Sequence, residues 1–284
     1  MKNSLYQITM AFLVIVFFGY GCKKEKDEVD ADTQSSQDNA QAESIMIEIN
    51  EIADQAVLDG DITTHLSGFG SNSMFSTCAS ITSTIDSADG SGTANIDFGP
   101  HFCQGHDTKF RKGLITVSFT GSYRDSGTVI TITATNYFVG YDSINPTKVN
   151  GQRIVTNKGL NTNNHLNYSI QANLTLVNYL NEQLTWSSTR NREWIAGDTS
   201  SSWTDDEYLI TGTASGKSFG GVNYTVTIID PLHVRLDCPK WITAGTFSLT
   251  PENKEARILN YGNGTCDNLA TVTIKDRTFD ISLR

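Results

Sequence analysis

The sequence is poor in positive charge, long apolar runs, helix-building residues and catalytic motifs. It holds 21 Lys and Arg against 31 Asp and Glu, a formal net charge of -10. No basic stripe is available to neutralise phosphates, which excludes nucleic acid as a partner. A spanning helix needs about 20 apolar residues, and the run at residues 10–18 (MAFLVIVFF) is far shorter. Ala, Leu, Glu and Lys do not dominate. No Gly-x-Ser-x-Gly elbow, His-Glu-x-x-His helix or Cys–His pair is present. A non-enzymatic protein without a cofactor is therefore expected. No repeat of fixed period occurs.

What is plentiful is Thr, Ser, Asn, Gly, Val and Ile, the composition of strands and turns. Charge is uneven. Residues 22–61 carry three Lys and twelve Asp or Glu, a balance of -9. Lys2 is the only charge before them, so residues 62–284 amount to only -2.

The N-terminus is read as a targeting segment. Lys2 supplies a positive start, residues 10–18 a signal-peptide core, and Gly19-Tyr20-Gly21-Cys22 follow. That ending resembles the lipobox of bacterial lipoproteins, with Gly19 where Leu is usual. The resemblance implies a signal peptide over 1–21, cleavage before Cys22 and lipid on its thiol. Residues 22–41 lack periodicity and read as a disordered acidic tether. Lys26-Asp27-Glu28 within it resembles the export signal of surface lipoproteins of the Bacteroidota. The implied location is the outer membrane, periplasmic or surface-exposed.

Residues 42–284 are expected to form a single β-rich domain. It opens with an amphipathic helix over 42–60, in which Ile45, Met46, Ile49, Ile52, Ala53 and Ala56 form an apolar stripe. From Phe75 onward apolar residues alternate with polar ones, most clearly from Leu166 to Leu176 and from Leu184 to Trp194. One-sided alternation with short turns between runs predicts half-buried antiparallel strands. The expected fold is mainly β: an antiparallel meander of long twisted strands in one or two curved sheets, with the helix packed on a sheet face.

Four cysteines remain beside Cys22. Cys78–Cys103 and Cys238–Cys266 are the expected disulfides, because each closes a local loop and an exported chain meets an oxidising compartment. Ile96-Asp97-Phe98-Gly99, Cys103, Asp107, Arg111, Gly113, Asn136-Tyr137, Thr185-Trp186, Arg192-Glu193-Trp194 and Tyr261-Gly262 together resemble a family of uncharacterised exported lipoproteins of the Bacteroidota. That resemblance implies lipidation, an envelope location and a β fold, and brings no catalytic residue.

Candidate chemistry is sparse. His101, Cys103, His106 and Asp107 form the densest ligand-like group, but their spacing matches no strong zinc site and Cys103 is needed for a disulfide. No metal is expected. Asp205-Asp206-Glu207 and Glu193 do not establish two carboxyls facing each other across a cleft. Gly216-Lys217-Ser218 reads as a strand end. The candidate ligand surface is the strand on which Trp186, Arg190, Arg192 and Trp194 share one face, suited to sugars or peptides. Its rival is a cross-strand ladder covering one sheet face. The expected partners are a membrane, through lipid on Cys22, and a glycan, a protein or an apolar ligand held on the concave side of the sheet.

Overall fold

The computed structural model describes residues 30–58, 79–200, 202, 204–238 and 241–283. The expected signal segment, Cys22, the Lys26-Asp27-Glu28 motif and Cys78 lie outside the described residues.

One helix, α1 (Gln34–Leu58), precedes a long run of strands. These are β1 (Ser80–Ile85), β2 (Gly92–Asp97), the short β3 (Cys103–Gln104), β4 (Phe110–Phe119), β5 (Val129–Gly140), β6 (Thr147–Leu160) and β7 (Leu166–Val177). Then come β8 (Gln183–Ala196), β9 (Glu207–Lys217), β10 (Asn223–Arg235), β11 (Ala244–Pro251), β12 (Arg257–Asn263), β13 (Leu269–Ile274) and β14 (Arg277–Ser282). They form one antiparallel sheet in chain order from β1 to β14, except that β3 pairs only with β4. The expected meander is thus observed, as one sheet rather than two.

Burial alternates residue by residue along β7, β8 and β10, as the period of two requires. The sheet bends at bulges. At the register shift between β4 and β5, Gly113 has φ +93°, and a Cβ there would lie 2.1 Å from the Asn136 carbonyl oxygen. Only glycine fits that crossing. The curvature brings Tyr141, after β5, against Trp241, before β11, with ring centroids 6.3 Å apart in a stacked pair. Two corners of the sheet, five strands apart, meet there without a ladder.

The helix occupies the concave side. Its expected stripe, Ile45, Met46, Ile49, Ile52, Ala53 and Ala56, is buried among Ile96, Ile115, Tyr137, Val149 and Ile170. Its polar residues Ser36, Asp38, Asn39, Glu43, Glu48 and Glu51 are buried as well, so the sheet encloses α1 on several sides. Small residues make room for it: Ala172, Ser188 and Ala214 stand in one register row on the inner face.

The helix starts eight residues before the expected position 42, and residues 34–41 belong to the domain rather than to a tether. They show no apolar stripe because their side chains bond to the sheet. Asp38 accepts the Phe219 amide at 2.9 Å, and Asn39 accepts the Trp186 indole N–H. The Asp32 carboxylate takes up the Gln34 amide at 2.9 Å, satisfying one of the free N–H groups of the first turn. Cys238–Cys266 is a disulfide joining the loops that follow β10 and β12. Cys103 is also disulfide-bonded.

Candidate functional site

The inner face of the sheet carries an unusual set of buried cations, and α1 carries their partners. The helix has five acids and no Lys or Arg. Glu48 accepts Arg111 Nε at 3.0 Å and Nη2 at 2.9 Å, Lys109 Nζ at 2.5 Å and the Tyr137 hydroxyl at 3.1 Å. Burial works to raise this carboxyl, but Arg111 and Lys109 outweigh it and hold it at about 2. Arg190 meets Glu43 through two bonds of 3.1 and 2.5 Å, the paired geometry that suits a guanidinium.

The four residues of the expected ligand surface do share one face, but it is the inner one. Trp186, Arg190, Arg192 and Trp194 are all buried. Trp186 donates its indole N–H to Asn39 at 2.9 Å. Arg192 donates to the Tyr123 hydroxyl, lies 3.6 Å from Asp54, and sits 4.9 Å and 4.7 Å from the Tyr168 and Tyr208 ring centres. Trp194 packs on Tyr208 and beneath the Arg124 guanidinium. These side chains bind the helix and one another, not solvent. The reading of an exposed ligand surface is therefore corrected to an internal ladder, because α1 covers the strand.

Among the described residues the space left beside α1 is small. Between Glu51, Asp54, Arg153, Arg192 and Tyr208 it holds about 10 Å³, less than the room one water needs. Among the described residues α1 fills the concave side at this point. Glu51 faces this gap with neither carboxylate oxygen hydrogen-bonded among the described residues. Burial, with the nearby Glu48 charge adding to it, pushes its carboxyl well above the ordinary range.

The other groups singled out in the sequence are dispersed. Asp107 is bonded to Arg111 at 2.8 Å, while His101 and His106 are exposed. Among the described residues no group of three or more His, Cys, Asp or Glu is placed to hold a metal. Glu193 accepts Asn161, Asn163 and His165, Asp206 accepts the Tyr208 hydroxyl, and Glu207 pairs with His233. Each carboxylate has its own partner rather than a shared cleft. Gly216-Lys217-Ser218 ends β9 and enters a tight turn closed by Ser218 and Val222.

The outer face is different. An open trough of about 1050 Å³ crosses β5 to β10. One register row along it is Thr133, Gln152, Asn173, Ser187, Ser215 and Thr225. A second row is Asn150, Thr175, Thr185, Lys217 and Asn223. Lys217 is the sole ionisable group among these eleven side chains. The row continues beyond the trough through Thr116, Asn95 and Thr82 on one side and Thr250 on the other. A transmembrane barrel presents an apolar band outward; this sheet presents hydroxyls and amides.

The floor of the trough is strand backbone. Gly216 lies in register between Trp186 and Tyr224, and a Cβ on it would stand 2.3 Å from the Thr185 carbonyl oxygen. Gly216 shares the inner face with Trp186 and Tyr224, and its lack of a Cβ lets β8 and β9 pair closely there. Comparison with known proteins finds no matching family model, no matching curated protein and no matching solved structure.

Proposed function

We propose that the chain is an exported lipoprotein, cut before Cys22 and held at the outer membrane by lipid on that cysteine, whose β domain binds a neutral glycan in the outer trough without cleaving it. The observation that carries the binding half is the trough itself: an open surface lined by amides and hydroxyls with one cation. Such groups both donate and accept hydrogen bonds, which is what sugar hydroxyls require. Charged ligands would find only Lys217 to pair with. Adjacent strands stand about 4.8 Å apart, so six strands offer about 24 Å of repeating polar contacts, enough for several sugar units of an extended chain.

The anchoring half rests on the Gly19-Tyr20-Gly21-Cys22 ending and on the resemblance to exported lipoproteins of the Bacteroidota. The test of binding uses the full chain and a panel of neutral polysaccharides such as dextran, mannan, xylan and galactan. Retention of one of these, weakened at least about tenfold by Gln152→Ala with Asn173→Ala at unchanged thermal stability, supports the reading; each lost hydrogen bond contributes roughly 0.5–1.5 kcal/mol. Retention unaffected by these changes, or absent for the whole panel, contradicts it.

A further inference from the structure

At one end of the sheet, exposed apolar side chains stand on two neighbouring turns. The meander places the turns after β5, β7, β9 and β11 at that end. In the first of them Ile144 is 81% exposed, and in the second Tyr179 and Leu180 are 59% and 60% exposed. The strands that carry these turns pair side by side, Lys148 opposite Val177, so the tips stand next to each other. Both tips are fixed in place. Asp142 Oδ1 accepts the Ile144 and Asn145 amides at 2.8 and 2.6 Å. Asn178 Oδ1 accepts the Leu180 and Glu182 amides at 3.0 and 2.9 Å. The apolar side chains are held outward on rigid turns rather than folded back.

Just below the tips lies a band of rings and cations. Lys112 Nζ is 4.6 Å from the Phe102 ring centre and 4.4 Å from that of Phe138, and Lys148 Nζ is 5.9 Å from the latter. Apolar tips above a ring-and-lysine band is the profile of a surface that meets a bilayer, with the tips among acyl chains and the band at the headgroups.

The chain also enters the domain at this end. Asp32 pairs with Lys254 in the turn after β11 at 2.6 Å, and Asp38 holds the Phe219 amide in the turn after β9 at 2.9 Å. Cys22 precedes Gln34 by twelve residues, which span at most about 40 Å when extended.

We infer that this end of the domain is its membrane-facing surface, with Ile144, Tyr179 and Leu180 entering the interface of a phospholipid bilayer. The inference rests on the lipid anchor proposed above. The occupant is a lipid surface rather than a second protein, because the tips, the lysine–aromatic band and the point of chain entry coincide. The glycan trough then stands to the side, open to solvent, while the tips hold the domain at a set orientation.

The test uses the full acylated chain on phosphatidylcholine vesicles with brominated acyl chains. Two exposed positions are compared, Leu180→Trp at the tip and Ile229→Trp on β10. Leu180→Trp should place its indole roughly 5–10 Å into the headgroup–acyl boundary and lose about half its added fluorescence, while Ile229→Trp keeps its own. Equal fluorescence at both positions, on protein that floats with the vesicles, overturns the inference and leaves the anchor standing. Protein that does not float with the vesicles overturns the anchor, and the inference with it.

Discussion

Glu48 and Glu51 stand three positions apart on α1, both buried, and their environments drive them in opposite directions. Glu48 meets Arg111, Lys109 and Tyr137. Its carboxyl is held at about 2 against an ordinary value of 4.5. The stability it contributes is present above 4.5 and is lost as pH falls toward 2. Glu48→Gln leaves Arg111 and Lys109 short of a charge partner, and denaturant unfolding at pH 7 should show a loss of about 3–5 kcal/mol. Glu51 faces Asn50, Asp54, Arg153 and Arg192, with Glu48 and Lys109 also within electrostatic reach. Its folded value lies well above 4.5, so folding takes up a proton there. That contribution is complete below 4.5 and is lost as pH rises through the folded value. Glu51→Gln removes this drain. Relative to wild type it should gain stability as pH rises above 4.5 toward the folded value, by up to about 1.4 kcal/mol per pH unit. Parallel pH–stability curves for the two proteins would contradict this.

At the scale of elements, legibility followed the apolar pattern. β7 and β8 were readable because Leu166 to Leu176 and Leu184 to Trp194 alternate cleanly. β6 was not, since its inward positions include Gly151, Arg153 and Asn157. Arg153 is inward because its Nη1 reaches the Met46 carbonyl of α1 at 3.4 Å, a partner more than a hundred residues away that no local window contains. β12 is obscured in the same way, with Arg257 at an inward position. The early turns of α1 lack an apolar stripe because Asp38 and Asn39 are satisfied by a turn and a strand far along the chain. The helix and the sheet are thus one charge-matched unit. A chain beginning after Leu58 would leave Lys109, Arg190 and Arg192 without their acids and Arg111 with Asp107 alone. It should show no cooperative thermal unfolding, whereas a sharp transition like that of the intact protein would show that α1 is dispensable.

For the whole molecule, the distribution of charge in the sequence now has a physical reading. Much of the acidity of residues 22–61 is not solvated; five of those acids lie on α1 and face the sheet. The two-residue alternation showed which side of each strand was buried, but not that the outward rows along the trough would carry a single ion. A sign of it lay in the low charged fraction of 18%, which leaves the outward positions to Thr, Ser, Asn and Gln. The trough itself spans six strands whose order and register one sequence does not display. At this scale the anchor has a simple check. Growth with radiolabelled fatty acid should label the wild-type chain and not Cys22→Ala, and equal labelling would contradict lipidation at that residue.

If α1 seals the inner face and the outer trough binds, a ligand should touch only the outer side of the sheet. Amide hydrogen exchange of the full chain, with and without a retained neutral polysaccharide, tests it most directly. Added protection is expected in the β6 to β9 segments around Gln152, Asn173, Ser187 and Ser215, with exchange in α1 unchanged. Protection in α1 and in the inner ladder around Arg192, with none along the trough, would contradict it.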